Sequence, residues 1–171
     1  MVGEDDLTWH SNTNSLVKRA FARMTILKKL YEFNVPKIQL VQIYMLYIRS
    51  VTEQSSVVWS SSITLEESEA LERTQKVALK IIFQKDYISY KNALFLANLP
   101  TLAERRETLL YRFGVKTLEN PKTTHIIKRN CHSKILKNQE NFTVDHARTT
   151  RFAKSSLNTI AHMLNENYQL K

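Results

Sequence analysis

Residues 64–83 read TLEESEALERTQKVALKIIF, and this stretch decides the fold class. Its apolar residues recur at the spacing that places them on one side of an α-helix: Leu71, Ala78, Leu79 and Ile82. Thr64 and Glu67 have the spacing of a capping box, in which each side chain hydrogen-bonds the backbone N–H of the other residue. The pattern therefore predicts an amphipathic helix over about 65–84.

The opposite side of this helix is charged and carries Glu69, Arg73, Lys76 and Lys80. One interpretation is an ordinary solvated face, because Glu69 and Glu72 stand four residues before Arg73 and Lys76, the favourable order for surface ion pairs. The other interpretation is contact with phosphates, because three cations lie within one arc. The sequence alone leaves both interpretations open.

The rest of the chain also favours helices. Two glycines and three prolines in 171 residues are too few for a fold built on hairpins and tight turns. Further helices are predicted over about 14–34, 36–52, 89–97, 101–119 and 155–168. Asn12 or Thr13 is expected to cap the first of them. We therefore predict an all-α helical bundle of about five helices, followed by an irregular basic C-terminal segment and a short final helix.

Three regions are expected along the chain: an N-terminal segment 1–13, a helical domain 14–119, and a basic connector 120–171 that ends in the last helix. The chain carries 25 Lys and Arg against 16 acids, a net charge of +9. Residues 120–171 contribute nine cations and three acids to that excess. Such a surplus favours a polyanionic partner.

Residues for catalysis are harder to find. Asp5 and Asp6 form an acidic start with no preceding strand to position them, and the lone cysteine, Cys131, is adjacent to His132. No spacing matches a metal site or a glycine-rich phosphate loop. We expect no catalytic residues, no metal, no cofactor and no small-molecule substrate. Gln75 and Arg106 lie on apolar helix sides, where structural polar contacts are the expected role.

The sequence also predicts where the protein acts. Its longest apolar run is far shorter than the ~20 residues that a membrane span requires. No basic-then-apolar leader is present in the sequence. We expect an intracellular, soluble chain without a membrane partner.

Six stretches, in order and spread over nearly the whole length of the chain, carry a family resemblance: DLTW at 6–9, LKKL at 27–30, IRSVTE at 48–53, LERTQKVALKII at 71–82, ERRE at 104–107 and RTTRF at 148–152. In this combination the chain resembles the region after the palm in reverse transcriptases of non-LTR (LINE-type, jockey-like) retrotransposons. The resemblance implies a thumb-like helical region and the connector that follows it. It also implies a parent RNA-directed DNA polymerase whose Mg²⁺-binding carboxylates lie in an upstream palm, with fingers and palm as partner domains and a nuclear location.

We therefore expect a non-catalytic fragment of a reverse transcriptase that binds template–primer RNA or DNA through phosphates, without sequence specificity. Nine basic residues are the predicted nucleic-acid contacts: Lys18, Arg73, Lys76, Lys80, Arg105, Arg112, Arg148, Arg151 and Lys154. The alternative is a helical protein-interaction module with an apolar patch around the first two helices, or a degenerate relic that binds no nucleic acid.

Overall fold

The computed structural model describes residues 9–130 and 141–168, apart from the side chains of Arg151 and Tyr168. Of the described residues, 74% are helical. The helices are α1 (His10–Glu32), α2 (Lys37–Ile43), a π-helix (Tyr44–Arg49), α3 (Ser50–Thr52), α4 (Ser56–Trp59), α5 (Leu65–Phe83), a 3-10 turn (Gln84–Asp86), α6 (Tyr90–Ala97), α7 (Leu102–Glu119), a 3-10 turn (Thr124–Ile126), α8 (Thr150–Ala153) and α9 (Ser156–Tyr168). Within the described residues, strand-like pairing is an isolated antiparallel bridge between Arg129 and Phe142. The prediction of an all-α fold is confirmed.

The helices form two compact units. The first takes the described residues up to 56 together with 63–105, and the second takes 57–62 together with the described residues from 106 onward. Helix α7 thus begins in one unit and ends in the other. This division differs from the boundary at 119/120 drawn from the sequence, because the end of α7 shares a core with the segments that follow it.

The first unit is built around the packing of α1, the α2–α3 run and α6 on α5. Its core consists of fully buried apolar residues from all four elements, among them Ala20, Leu27, Leu40, Ile48, Ala78, Leu79, Ile82 and Ala93. The predicted apolar side of α5 is therefore the side that is buried. The opposite side is left to solvent, where it can present its charges.

Two predicted helix starts have different outcomes. The capping box of α5 is confirmed, because Thr64 N donates to Glu67 Oε2 at 2.7 Å and Glu67 N donates to Thr64 Oγ1 at 3.2 Å. The predicted cap of α1 is wrong. Helix α1 begins at His10, and Asn12 and Thr13 are buried inside it. The Thr13 hydroxyl donates to the Trp9 carbonyl at 2.8 Å, so it is used within the helix and not at its end.

The helical run from α2 to α3 contains an irregularity. Residues Tyr44–Arg49 form a π-helix, which has i→i+5 hydrogen bonds in place of the i→i+4 bonds of an α-helix. Arg23 of α1 covers this turn, because its Nη1 donates to the Tyr47 carbonyl at 2.6 Å. The same guanidinium lies 4.5 Å from the centroid of the Tyr47 ring. The wide turn is thus held by a side chain from a neighbouring helix.

The second unit includes the segment in which the sequence shows no periodicity. Ile127 and Phe142 from that segment are buried with Leu110 of α7 and Ile160 and Leu164 of α9. The Asn165 side chain accepts from Phe142 N at 2.9 Å and donates to Phe142 O at 3.0 Å. These described parts of the segment therefore contribute to a core. Residues 131–140 lie outside the described residues.

Candidate nucleic-acid interface

Three predicted contact residues lie together on the exposed side of α5. We call Arg73, Lys76 and Lys80 the α5 stripe; all three side chains are exposed. Lys80 follows Arg73 by seven positions, so the stripe extends about 10 Å along the helix axis. It belongs wholly to the first unit.

The surface ion pairs of the first interpretation do not form among the described residues. Within the described residues, no carboxylate oxygen lies within 4 Å of the charged nitrogens of Arg73, Lys76 or Lys80. The favourable sequence spacing of Glu69 and Glu72 is therefore not used for pairing. The stripe keeps its positive charge.

Two tyrosine rings support the lysines of the stripe. The ammonium of Lys76 lies 5.3 Å from the centroid of the Tyr90 ring, and that of Lys80 lies 5.5 Å from the centroid of Tyr87. Such contacts stabilise a cation by about 0.5–1 kcal/mol at exposed sites. Because an aromatic ring carries no net charge, it orients an ammonium without neutralising it.

Glu72 makes contacts that explain why it leaves Lys76 unpaired. Its Oε1 accepts the hydroxyl of Tyr90, and the same oxygen accepts the backbone N–H of Leu102 at 3.2 Å. The pKa of Tyr90 is raised by burial and, next, by its hydrogen bond to Glu72, so the phenol remains a donor. The carboxylate is thereby turned toward the first residue of α7.

Gln75 lies beneath the stripe and is completely buried. Its Oε1 accepts the hydroxyl of Tyr44 at 2.6 Å, and its Nε2 donates to the hydroxyl of Tyr90 at 3.0 Å and to the carbonyl of Pro100 at 2.9 Å. Burial raises the pKa of Tyr44, which Arg49 partly offsets. The structural role predicted for Gln75 is confirmed. We call Tyr44, Glu72, Gln75 and Tyr90 the tyrosine–glutamine network.

Arg105, another predicted contact, is held by a carboxylate. Its Nε lies 3.1 Å from Glu53 Oε1, and the Nε of Arg49 lies at the same distance from that oxygen. We call these three residues the Glu53 cluster; each of their side chains is mostly buried. Arg105 therefore has a carboxylate partner, whereas the stripe residues have none among the described residues. Arg106 is buried.

The remaining predicted contacts are divided between the two units. Lys18 is exposed on α1 in the first unit. Arg112, Arg148 and Lys154 are exposed in the second unit, the last two on either side of α8. The side chain of Arg151 lies outside the described part of the chain. Sequence reasoning missed Tyr87 and Tyr90, because the turn between α5 and α6 brings them to lysines seven and fourteen residues away.

Two further observations concern partners. Among the described residues, no group of three His, Cys, Asp or Glu side chains is placed to hold a metal ion. Cys131 and His132 lie outside that part. No helix in the described ranges is both long enough and apolar enough to span a bilayer.

Comparisons with known proteins assign no family to the chain. No protein-family model matches the chain, and no curated protein and no solved structure matches it either.

Proposed function

We propose that this chain is a non-catalytic, thumb-like region that binds nucleic acid through phosphates, as its resemblance to non-LTR retrotransposon reverse transcriptases implies. The observation that carries the proposal is the α5 stripe, in which Arg73, Lys76 and Lys80 are exposed on one helix face with no carboxylate of the described residues within 4 Å. The expected ligand is a template–primer duplex of RNA and DNA.

The stripe suits a phosphate backbone because its cations are exposed and no carboxylate of the described residues has to be displaced before a phosphate can bind. An arginine or lysine that is already paired must first lose its carboxylate, whereas these side chains exchange only water and counterions for phosphate. Lys76 and Lys80 are also oriented by the tyrosine rings below them. Contacts to phosphate carry no base information, so binding without sequence preference is expected.

The test is a salt titration of binding to a fluorescent RNA–DNA hybrid duplex, followed by anisotropy. The logarithm of the affinity should fall linearly with the logarithm of the salt concentration, by about 0.9 per phosphate neutralised on duplex DNA. Replacing Arg73, Lys76 and Lys80 with alanine should weaken binding and reduce this slope by about two to three units.

A matched control removes the same charge elsewhere. Arg19, Lys28 and Lys29 are exposed on α1 and outside the predicted contacts. Their triple alanine variant should keep most of the slope. An equal loss of slope in both variants, or binding that ignores salt, would contradict the proposed interface.

The proposal also separates binding from catalysis. Primer extension with Mg²⁺ and deoxynucleotides should yield no product with this chain alone, because the resemblance assigns the polymerase carboxylates to the palm. Extension that survives purification from any cellular polymerase would show that the chain holds a catalytic site of its own.

A further inference from the structure

A pocket in the second unit is lined by residues from the end of α7, by residues from the end of α9 and by Arg129. Its volume is about 350 Å³, which lies within the roughly 300–1,000 Å³ typical of ligand pockets. We call it the α7–α9 pocket. All of its lining residues belong to the second unit, so the pocket is formed within one compact body.

The walls of the pocket are apolar. Tyr111, Val115 and Leu118 line it from the i, i+4 and i+7 positions of one face of α7. All three pack against the core of the unit, and Leu164 of α9, which is 4% exposed, belongs to that core. The tyrosine ring supplies a flat surface on which an aromatic group can stack. The pocket therefore offers a planar ligand apolar contact on a fixed support.

Polar groups at the pocket have unused hydrogen-bonding capacity. Among the described residues, no hydrogen bond or ion pair engages the Glu119 carboxylate or the Arg129 guanidinium. The guanidinium lies 6.0 Å from the centroid of the Phe142 ring, a contact that leaves its charge in place. Asn167 Nδ2 donates to the Met163 carbonyl at 2.7 Å, which leaves the amide oxygen of Asn167 as an acceptor. The pocket thus presents both donors and acceptors to a ligand.

These polar groups select for a neutral ligand. An arginine only donates hydrogen bonds and an ionised carboxylate only accepts them, so the ligand needs acceptors for Arg129 and N–H donors for Glu119. Glu119 would repel an anion, and Arg129 would repel a cation. A nucleobase is flat and uncharged, and it carries donors and acceptors on its edges.

We propose that the α7–α9 pocket binds the guanine base of an unpaired nucleotide. Guanine carries two neighbouring N–H donors, N1–H and the N2 amino group, which a single carboxylate can accept together. Its O6 and N7 atoms accept hydrogen bonds from arginine. The nucleotide must be unpaired, because Watson–Crick pairing would occupy both donors. This inference rests on the proposed function, which is nucleic-acid binding, and adds a base-specific contact to it.

Two cations on α7 lie beside the pocket. Arg112 and Lys116 each follow a pocket residue by one position, which places them about 100° around the helix from it. Both side chains are exposed, and no carboxylate of the described ranges lies within 4 Å of their charged nitrogens. They can bind the phosphates next to a base that occupies the pocket. Arg112 is one of the contacts predicted from the sequence, and the pocket gives that prediction a specific ligand.

The experiment compares labelled single-stranded oligouridine probes that carry guanosine, adenosine or inosine at one central position, with anisotropy as the readout. The full chain should bind the guanosine probe about tenfold more tightly than the adenosine probe. Inosine lacks only the N2 amino group of guanosine, so its probe should bind about fivefold more weakly than the guanosine probe. Guanosine monophosphate should displace the probe only at much higher concentrations than an unlabelled guanosine oligomer, because a free nucleotide lacks the neighbouring phosphates.

Glu119→Gln tests the carboxylate while keeping the size of the side chain. The amide keeps one acceptor oxygen and loses the other, so the preference for guanosine over adenosine should fall to about twofold or less. The preference is the readout, because loss of a negative charge strengthens binding to every probe. The matched control is Glu107→Gln. Glu107 is exposed on α7, twelve positions before Glu119 and about 18 Å from it along the helix axis, so its variant should keep the full preference.

Equal affinities for the three probes, or a preference that both glutamine variants keep, would overturn the proposal. Displacement by guanosine monophosphate at the same concentration as by the oligomer would overturn it too, because the ligand would then be a free nucleotide. If the probes bind equally and their affinity still falls with salt, the base pocket is rejected and phosphate binding stands. Failure to bind these probes and the hybrid duplex would reject both. Alanine at all three positions of the α5 stripe should leave the guanosine preference unchanged, because the stripe belongs to the first unit.

Discussion

The α5 stripe and the Glu53 cluster contain the same kinds of side chain in opposite electrostatic situations. In the cluster, Arg49 and Arg105 share one carboxylate and are mostly buried. In the stripe, Lys76 and Lys80 are exposed and lie over tyrosine rings. A carboxylate neutralises a cation, whereas a ring holds it and leaves its charge. The cations of the Glu53 cluster are thus committed to the fold, and those of the α5 stripe remain available for an anion.

The largest expected effect comes from breaking the tyrosine–glutamine network that supports the stripe. Gln75→Ala should lower the free energy of unfolding by about 3 kcal/mol, because it leaves a cavity and removes the partner of the Tyr44 hydroxyl and of the Pro100 carbonyl. Gln75→Leu fills the space but still strands those groups, so it should cost about 2 kcal/mol. Urea denaturation measures both losses. A Gln75→Leu variant as stable as the parent would show that the network contributes nothing to stability.

Arg105 and Lys76 provide the sharpest test of the difference between the two regions. Arg105→Ala should lower the free energy of unfolding by about 1–2 kcal/mol, because it removes a mostly buried partner of Glu53. It should leave the salt slope of nucleic-acid binding unchanged. Lys76→Ala should do the reverse, costing at most about 0.5–1 kcal/mol of stability and reducing the slope by about 0.9.

Denaturation and salt titration of these two variants would cross-check each other. If Arg105→Ala reduces the salt slope as much as Lys76→Ala does, the Glu53 cluster is part of the interface and the distinction between the two regions is wrong.

The smallest effect concerns the tyrosine that holds Glu72. Tyr90→Phe keeps the ring below Lys76 but removes the hydroxyl that Glu72 accepts. Glu72 then keeps the Leu102 N–H and can turn its carboxylate toward Lys76, four residues along the helix. We expect stability to fall by about 1 kcal/mol and nucleic-acid affinity to fall about two- to threefold. Tyr87→Phe, which leaves the ring below Lys80, is the control in the same anisotropy assay. Equal affinities for the two variants would contradict the role given to the Tyr90 hydroxyl.

Local sequence patterns predicted most of the helices and the buried face of α5. The capping box of α5 and the burial of Leu71, Ala78 and Ile82 follow from spacings of a few residues. The start of α1 was not predictable in this way. Thr13 is a good capping residue by type, but its hydroxyl also lies 3.2 Å from Glu67, 54 residues away. A contact over that distance has no local signature.

Of the candidate site, the sequence predicted only which cations share the charged face of α5. The positions of the stripe cations follow from the helical period, and the structure places all three on the exposed side. That Glu72 does not pair with Lys76 could not be foreseen, since their spacing favours a pair. That pair is replaced by contacts of Glu72 with Tyr90 and Leu102, which depend on how α6 and the start of α7 pack near α5.

The π-helix at Tyr44–Arg49 has a consequence for comparing this chain with others. A π-helical turn holds about one residue more than an α-helical turn over nearly the same length. A homologue lacking one residue in this turn could form an ordinary α-helix and still keep Leu40 before it and Val51 after it on the core side. An alignment gap at this place would therefore record a change of helix type within an intact fold.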